Sequence, residues 1–338
     1  RKPSSWYLLS RFPKQDFMRN FFFELSSLIK RCGSSSLKSL SISSKNCNHV
    51  ESCCLIFPEE QEPGVFRWGW MFVTFNTTSN LQKRKEIFFQ RKFPTFSKVQ
   101  SLSSTDLSQR IPQSKGLSNK TIGIIGAGAI GAPTVLEFAR NGSYKIKLMD
   151  HDDVEVTNTV RWPLGQEYVG WQKVNALTDY INKNYPSVKT ESFSHWIGNP
   201  HNGVHDENEL LEKFMGDCDI IVDASVEQGV NHLISVRCRN KGLPYIILEA
   251  RRGGWGGLVA RILPETEKGC WMCLQNKLYL EEEKEKITLP PEDFSGTIQE
   301  RGCGDVTFTG ANYDMMNVSL AAVKLAANTL SSNEDYDW

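Results

Sequence analysis

A strand that runs into a glycine turn constrains the fold of this chain more than any other feature of its sequence. The apolar run Ile-Gly-Ile-Ile enters a turn built on Gly126, Gly128 and Gly131, and the next strand ends at Asp150, 24 residues after Gly126. Such glycines let the backbone approach phosphates, and the following helix N-terminus offers them unpaired N–H groups. An acid at this distance is typical of a ribose-binding carboxylate. The segment alone predicts a nucleotide site, most often one for a dinucleotide.

The residues that follow Asp150 change this interpretation. Asn158 and Arg161 come next, and Lys173 follows a further glycine. An NAD enzyme has no need of two cations just beyond the ribose acid, whereas a triphosphate does, because Arg offers a forked donor pair and Lys a compact charge. We therefore expect Asn158, Arg161 and Lys173 to face the phosphates of ATP and Asp150 to hold the ribose hydroxyls. A structural salt-bridge network is the alternative for any single one of these cations.

The same residues carry a resemblance to a known family. Three glycines and five further residues match in order, and the five are Asp150, Asn158, Arg161, Gly170 and Lys173. Over roughly residues 105–330 the chain resembles the ubiquitin-activating-type superfamily, which includes the ThiF, MoeB and HesA adenylyltransferases. The resemblance implies ATP bound by the glycine turn, with catalytic roles for Arg161 and Lys173. It also implies a homodimer in which Arg110 reaches the neighbour's ATP site; a surface Arg is the equal alternative.

One position departs from the resembled family. Its members usually carry an Asp-Cys-Thr-Asp-Asn run after the fourth strand, and the second Asp handles the metal and the catalytic step. This chain has Val226 at that place, in the run Asp-Ala-Ser-Val-Glu that begins at Asp223. Because Val offers no oxygen ligand to Mg²⁺, we assign the metal and a catalytic role to Asp223, with Glu227 as the alternative ligand. The other interpretations are that Asp223 is an ordinary acid that caps a loop, or that this enzyme adenylates its substrate poorly.

Three cysteines indicate thiol or metal chemistry. Cys303 lies between two glycines, and the resemblance implies that a Cys here accepts the activated carrier as a thioester or carries sulfur as a persulfide; a small buried Cys is the alternative. Cys270 and Cys273 form half of a tetrahedral zinc site. Relatives supply a second Cys-x-x-Cys pair, but none follows Cys273 here. We therefore expect no bound Zn²⁺ unless Cys303, a His or further residues complete the site, and a redox pair is a weaker alternative.

Charge and composition limit the classes of partner. Residues 1–116 carry 18 Lys or Arg and 8 Asp or Glu, a net +10, and the rest of the chain carries 21 and 31, a net −10. Attraction between the two oppositely charged parts of the chain, or ordinary solvation of their surfaces, explains this asymmetry. Docking of an acidic partner on the basic N-terminal part is the more specific alternative. The basic residues are dispersed without a nucleic-acid motif, so we expect no nucleic-acid partner. No apolar run approaches the ~20 residues of a membrane helix, and scattered cysteines beside a nucleotide site favour reduced thiols and a cytoplasmic location.

Helical and strand patterns alternate from residue 121 onward. This alternation predicts an α/β fold with a Rossmann-like, doubly wound and mostly parallel sheet. The predicted adenylation domain spans residues 105–338, with a crossover loop at 278–308 and a C-terminal helix at 312–330. Residues 1–104 form a predicted α+β module for partner binding, with a helix at 12–31 and strands at 53–57 and 66–75.

Together these patterns predict ATP-dependent activation of a ubiquitin-like or sulfur-carrier protein. The carrier's C-terminal carboxylate, on a Gly, attacks the α-phosphate, and Cys303 then accepts the acyl group; a conjugating enzyme is a further expected partner. By analogy alone, the N-terminal module favours a prokaryotic conjugation system. An NAD-dependent oxidoreductase is the alternative enzyme, but none of the six His lies in a matching motif. A catalytically weak scaffold is the other alternative, which Val226 favours and the intact Arg161 and Lys173 oppose.

Overall fold

The computed structural model of the chain divides into two compact units, residues 1–110 and 111–338. The sequence predicts this boundary at 104/105. The structure describes the following residues: 6–8, 49–62, 64–77, 95–99, 111–199, 206–265, 269–280, 288–295, 297–299 and 306–331. The predicted helix at 12–31 lies outside these ranges.

The described part of the first unit is a four-stranded sheet. Its strands are β1 (Trp6–Leu8), β2 (His49–Glu62), β3 (Val65–Thr77) and β4 (Thr95–Val99), in that order across the sheet. β2 and β3 form a long antiparallel hairpin whose pairing continues to Glu62 and Val65. The acidic segment that begins at Glu59 has the composition of a loop, but up to Glu62 it continues the strand, and Gly64, in the turn that follows, has a φ of +77°.

One face of β3 carries a row of aromatic side chains. Phe66, Trp68, Trp70 and Phe72 occupy alternate positions, and successive strand residues point to opposite faces, so these four share one face. Their exposed fractions are 61%, 59%, 37% and 41%. On the opposite face, Met71 is buried. We call the four aromatic residues the aromatic row.

The second unit is built on a six-stranded sheet. Its strands are β5 (Thr121–Ile125), β6 (Lys145–Asp150), β7 (Lys189–Ser194), β8 (Ile220–Asp223), β9 (Tyr245–Ala250) and β10 (Gly257–Ile262). The order is β10-β9-β8-β5-β6-β7, and all neighbours are parallel except β9 and β10. The predicted mostly parallel sheet is confirmed. The chain adds β6 and β7 on one side of β5 and then β8 on the other, which opens a crevice at the carboxyl ends of β5 and β8.

Helices cover both faces of this sheet. They are α1 (Gly131–Arg140), α2 (Lys173–Asn184), α3 (Glu207–Met215), α4 (Gln228–Lys241), α5 (Trp271–Tyr279) and α6 (Asn312–Leu330). Ile122 and Ile124 pack in a core cluster with residues of α1, α2 and α6, whereas Ile125 packs in a second cluster with residues of α3 and α4. A strand buried on both faces needs a layer of helices on each, which explains why all of β5 is buried.

The predicted crossover loop contains regular structure in its described part. A short antiparallel pair, β11 (Thr297–Gln299) and β12 (Val306–Phe308), lies within it. The C-terminal helix α6 spans Asn312–Leu330. No helix in the described ranges is both long and apolar enough to cross a membrane.

Candidate functional site

The glycine turn joins β5 to α1 and is shaped by close backbone contacts. Gly126 has a φ of +85°, and its N–H donates to the carbonyl of Met149 at 2.8 Å. A Cβ atom on Gly126 would lie 2.6 Å from the backbone of Ala224, and one on Gly131 would lie 2.0 Å from the carbonyl oxygen of Gly126. Around Gly128 no described atom lies within 4 Å of such a Cβ. The first and third glycines are therefore required by the fold, and the backbone at Gly128 is accessible to a ligand.

Asp150, at the tip of β6, lies directly against this turn. Its Oδ2 accepts a hydrogen bond from the N–H of Ala127 at 2.5 Å, and its Oδ1 accepts one from the N–H of Asp152 at 2.7 Å. On the other side, the indole N–H of Trp162 donates to the carbonyl of Ala127 at 2.8 Å. The predicted ribose acid and the predicted phosphate turn are thus neighbours in the fold, and the Asp150 carboxylate is held rigidly between two backbone donors.

Asn158 and Arg161 lie on the turn that follows. Asn158 belongs to the short 3₁₀ helix Val156–Val160, and its side-chain oxygen accepts from the N–H of Glu155 at 3.0 Å, as part of a capping box. Its carbonyl accepts from the N–H of Arg161 at 2.9 Å. Asn158 therefore orients the half-buried Arg161 through the backbone, and direct contact of either residue with phosphate stays a prediction.

Lys173 reaches the same corner from the first turn of α2. Its side chain is only 10% exposed, and its Nζ donates to Oδ2 of Asp152 at 2.7 Å. Its backbone N–H also donates to the carbonyl of Asp152 at 2.9 Å. Asp152 thereby links Lys173 to the tip of β6. Sequence reasoning missed Asp152, although its signal was present as a second acid two residues after Asp150.

Asp223 ends β8 on the other side of the glycine turn and is completely buried. Its Oδ2 accepts from the hydroxyl of Tyr245 at 2.7 Å and from the amide of Asn231 at 3.0 Å, and its Oδ1 accepts from the N–H of Ser225 at 3.0 Å. Burial, and then the neighbouring Asp223, raise the pKa of Tyr245 well above its ordinary value, so this hydroxyl stays a donor.

These contacts bear on the metal assignment. The Asp223 carboxylate is completely buried and accepts three hydrogen bonds inside the protein, so it does not fit a Mg²⁺ site in this conformation. In the described ranges, the group of ligand atoms close enough for one cation is that of Asp150, His151 and Asp152, whose atoms lie within 4.8 Å of one another. Exposed acidic groups of this kind are common without an ion. A metal on Asp223 stays a prediction that requires Tyr245 and Asn231 to release it.

Val226 follows Asp223 on the exposed loop before α4. Its φ is +61°, and it is the one described residue other than glycine with a positive φ. In this conformation the Cβ atom crowds the following carbonyl, and a β-branched side chain makes the contact worse. The side chain is also 48% exposed, so burial provides little compensation. The position that departs from the resembled family therefore stores backbone strain.

Val226→Asn is expected to raise the free energy of unfolding by about 1 kcal/mol, because Asn tolerates the left-handed conformation. Urea unfolding of both proteins measures the change. Val236→Asn is the matched control, since Val236 is similarly exposed but lies inside α4, where Asn brings no such gain. An unchanged or lower stability of Val226→Asn would show that the loop is not strained.

Cys270 and Cys273 lie at the start of α5. Cys270 is the N-cap residue, Cys273 is exposed, and their sulfur atoms are 3.5 Å apart. Donation from the backbone N–H of Cys273 is the main cause that lowers the pKa of the Cys270 thiol, and burial opposes it only partly. Within the described ranges this pair belongs to no group of three or more metal ligands. Zinc binding stays a prediction that requires ligands from elsewhere.

The described cysteines are expected to differ sharply in alkylation rate. Burial raises the pKa of Cys218 to about 12 and also raises that of Cys238, whereas the pKa of Cys270 is lowered. Since the thiolate is the nucleophile, iodoacetamide at neutral pH should modify Cys270 first and leave Cys218 and Cys238 untouched in the folded protein. Peptide mass spectrometry over a time course measures this. Equal rates at Cys270 and Cys238 would contradict the expectation, and an unfolded sample provides the control.

Two predicted site residues, Arg110 and Cys303, lie outside the described residues. Their roles stay predictions. Of the other predicted residues, the structure brings Gly126, Gly128, Gly131, Asp150 and Lys173 to one corner at the carboxyl ends of β5 and β6.

The chain is similar to known proteins over much of its length. A family model described as the ThiF family matches residues 104–306. The uncharacterised protein y4qC of Sinorhizobium fredii is 35% identical over 236 residues, which are 68% of this chain and 40% of that protein. The adenylyltransferase and sulfurtransferase MOCS3-1 of Zea mays is 30% identical over 161 residues, which are 47% of this chain and 31% of that protein, so the chain spans less than half of either relative. A crystal structure of PaaA has a TM-score of 0.48 and 20% identity, over 67% of this chain and 60% of that one.

Proposed function

The chain belongs to the ThiF family, and we propose that it is an ATP-dependent adenylyltransferase that activates the C-terminal carboxylate of a carrier protein. One observation carries this proposal. The glycine turn, Asp150 and Lys173 meet at one corner, where backbone donors and a buried cation suit a nucleoside triphosphate. The name of the relative MOCS3-1 includes adenylyltransferase, which supports the same chemistry.

The proposed reaction is an in-line displacement at phosphorus. A carboxylate oxygen of the carrier attacks the α-phosphorus of ATP, the bond from that phosphorus to the bridging oxygen breaks, and pyrophosphate leaves with the electron pair. The protein contributes positioning and fixed positive charge. In this proposal Asp150 holds the ribose hydroxyls, Gly128 lies against the phosphates, and Arg161 and Lys173 stabilise the negative charge on them. Mg²⁺, when bound, would supply further positive charge to the phosphates.

Lys173 has a defined starting position for this role. In the structure its ammonium is paired with Asp152, whose side chain is 41% exposed. A partly hydrated pair of this kind is weak enough to be exchanged for a phosphate contact. The pair also holds the Lys173 ammonium beside Asp152, two residues after the tip of β6. We propose that Asp152 positions Lys173 and gives it up when ATP binds.

The proposed substrate is a ubiquitin-like or sulfur-carrier protein that ends in Gly. The aromatic row on β3 supports partner binding by the first unit, because contiguous exposed apolar side chains mark interaction surfaces. The proposal also includes a cytoplasmic homodimer in which Arg110 acts on the neighbour's ATP, and acyl transfer from the adenylate to the thiol of Cys303. Hand-over to a conjugating enzyme would follow that thioester.

Pyrophosphate exchange tests the proposed function directly. The full chain, mixed with ATP, labelled pyrophosphate and candidate carriers ending in Gly, is expected to form labelled ATP only when the right carrier is present. Arg161→Ala should weaken ATP binding by about 1.5–3 kcal/mol through loss of a charge-assisted contact. Tight NAD binding that is indifferent to Arg161→Ala would favour the oxidoreductase instead.

The thioester step needs a separate test. Cys303→Ser is expected to keep carrier-dependent exchange and to lose any thiol-sensitive adduct between carrier and enzyme, because Ser forms an oxygen ester that resists mild thiols. Cys238→Ser serves as the control, since Cys238 is buried and should affect stability rather than transfer. An adduct that survives in Cys303→Ser would place the nucleophile elsewhere, with Cys270 and Cys273 the next to test.

A carrier-binding scaffold is the second candidate function. The specific observation in its favour is Val226, whose apolar side chain occupies the place where the resembled family has an acid. A scaffold would bind the carrier with the same affinity in the presence and absence of ATP, and it would show no exchange. Carrier-dependent exchange excludes it.

A further inference from the structure

The first unit carries the aromatic row on the open face of its sheet. The opposite face is the packed one, where Phe57 is fully buried and Met71 is 3% exposed. Gly69 also lies on the packed face, and a Cβ atom there would come within 2.5 Å of the Phe57 ring. An antiparallel sheet with one packed face normally turns polar residues to solvent on the other. Here the open face has four aromatic side chains instead, each between 37% and 61% exposed.

The neighbouring strands extend this open face with apolar side chains. Directly paired residues of antiparallel strands share a face. Trp70 pairs with Ile56 on β2 and with Val99 on β4. Trp68 pairs with Pro58 on β2. Ile56 and Pro58 are partly buried, and Val99 is 38% exposed. The aromatic row is therefore the ridge of an apolar patch that crosses three strands.

The charged residues described around the patch point elsewhere. Glu60 pairs with Phe66, but its carboxylate accepts the N–H of Gly64 at 2.8 Å and so belongs to the hairpin turn. The ion pair of Glu59 and Lys98 lies on the packed face. Residues 1–116 nevertheless carry a net charge of +10. A partner whose own apolar surface is bordered by carboxylates is therefore attracted more strongly than a basic one.

The size of the patch limits what can cover it. A large aromatic side chain offers roughly 150–250 Å², so four that are about half exposed offer roughly 400 Å². A stable dimer buries about 800 Å² on each partner. The row is thus too small to hold a second copy of the chain by itself, and it suits a partner that binds and then leaves, as a substrate does.

We propose that the aromatic row is the docking surface for the folded body of the carrier protein, which presents an apolar patch bordered by acidic residues. The inference rests on the proposed adenylyltransferase function and adds the surface that selects the carrier. A tail that ends in Gly offers few side-chain contacts, so selection of one carrier must come from contacts away from the reacting carboxylate. Trp68 and Trp70 occupy the middle of the row, and a Trp at the centre of an interface supplies much of the binding energy.

Pyrophosphate exchange at varied carrier concentration tests the docking surface. The probes are a carrier that supports exchange by the wild type and a synthetic peptide of its C-terminal tail, which lacks the folded body. Trp68→Ser is expected to raise the KM for the carrier about 10-fold, and to leave kcat and the KM for the peptide unchanged. Trp68→Phe should recover most of this loss. Tyr144→Ser, which removes an exposed aromatic side chain next to the amino end of β6, should behave like the wild type.

The charge of the partner is tested on the same residue. Trp68→Glu should raise the KM for the carrier more than Trp68→Ser does, because it places a carboxylate against the acidic border of the carrier. Added sodium chloride should reduce the difference between the two variants, since it screens this repulsion. If Trp68→Glu binds the carrier as well as Trp68→Ser does, the acidic border is wrong.

The remaining outcomes separate the docking surface from the proposed function. An unchanged KM in Trp68→Ser, or equal rises for carrier and peptide, overturns the surface and leaves adenylation standing. A melting temperature lowered in both Trp68→Ser and Trp68→Phe, or a dimer that only Trp68→Ser dissociates, assigns the row to the fold or to a second copy and overturns it too. If no carrier supports exchange, the proposed function fails. An amphipathic peptide with Leu on one face and Glu on the other then decides: binding to the wild type but not to Trp68→Ser retains the surface, and any other result overturns it.

Discussion

Lys173→Met is expected to lower carrier-dependent pyrophosphate exchange by at least about 100-fold, which is the usual loss when one fixed stabiliser of developing charge is removed. The replacement keeps the length and the apolar stem of a side chain that is only 10% exposed. Its former partner Asp152 is 41% exposed and can be hydrated, so the fold should tolerate the change. Initial rates of exchange at saturating carrier and ATP, together with a melting temperature, measure both effects.

The same helix offers a matched control. Lys183, near the end of α2, is 61% exposed and pairs with Asp179 one turn earlier. Lys183→Met removes the same charge from the same helix at a distance from the glycine turn, and it should leave exchange unchanged. If Lys173→Met exchanges at the wild-type rate, Lys173 serves only as the structural partner of Asp152, and the phosphate role assigned to it is wrong.

The part of the site that could be predicted from the sequence is the part encoded locally. The glycine turn and Asp150 belong to one strand–turn–helix–strand segment, and β5 and β6 are neighbours in the sheet because they are neighbours in the chain. Their closeness therefore follows from the motif alone. Lys173 could be added to this local set because it follows Asp150 closely in the chain, as the first residue of α2. The turn before α2 returns to the tip of β6, where the carbonyl of Asp152 accepts the backbone N–H of Lys173.

The stack of the His151 and Trp196 rings, whose centroids are 4.5 Å apart, could not be predicted in the same way. His151 and Trp196 are brought together by pairing of β6 with β7, and β7 gives almost no sequence signal. It is the edge strand of the sheet, its sequence is Lys-Thr-Glu-Ser-Phe-Ser, and only Phe193 is buried. An edge strand needs little apolar surface, so hydrophobic periodicity does not detect it. A stack that depends on such a strand becomes visible only in three dimensions.

The hairpin of the first unit shows tertiary contacts overriding local preference. The acidic run that begins at Glu59 has the composition of a loop, yet it continues β2. Glu59 pairs in register with Arg67 across the hairpin and forms an ion pair with Lys98 on β4. Opposite charges on facing strands stabilise a sheet at positions where each residue alone disfavours it. Composition could not reveal these partners, because they come from two other strands.

Asp223 illustrates a different limit of the sequence. The end of a parallel strand is where ligand-binding acids lie, and the resemblance to activating enzymes made a metal role the natural prediction. The direction in which the carboxyl points depends on Tyr245, which comes from β9, and on Asn231, which comes from α4. Both donors point inward, and they draw the carboxyl oxygens into the protein rather than towards the crevice.

Asp223→Ala is accordingly expected to lower the free energy of unfolding by about 3–5 kcal/mol, because it removes the shortest acceptor contact of two buried donors, on Tyr245 and Asn231. They keep only their longer contacts, at 3.4 Å to the Asn231 carbonyl and at 3.2 Å to the Ser225 hydroxyl. Tyr245→Phe removes one of these donors together with its need for a partner, and it should cost only about 1–2 kcal/mol. In the double variant, the loss should be smaller than the sum of the two single losses, since one of the two donors that lose Asp223 is gone. Urea unfolding measures all three.

The two interpretations of Asp223 predict opposite patterns. If the carboxyl acts as a structural acceptor, Asp223→Ala loses stability, and the protein that remains folded binds ATP with an unchanged dependence on Mg²⁺. If the carboxyl instead leaves Tyr245 to ligate Mg²⁺, Asp223→Ala removes the Mg²⁺ dependence of ATP binding, and Tyr245→Phe strengthens that dependence by freeing an oxygen. Since both carboxyl oxygens are held at 3.0 Å or less by donors of the protein itself, we expect the first pattern.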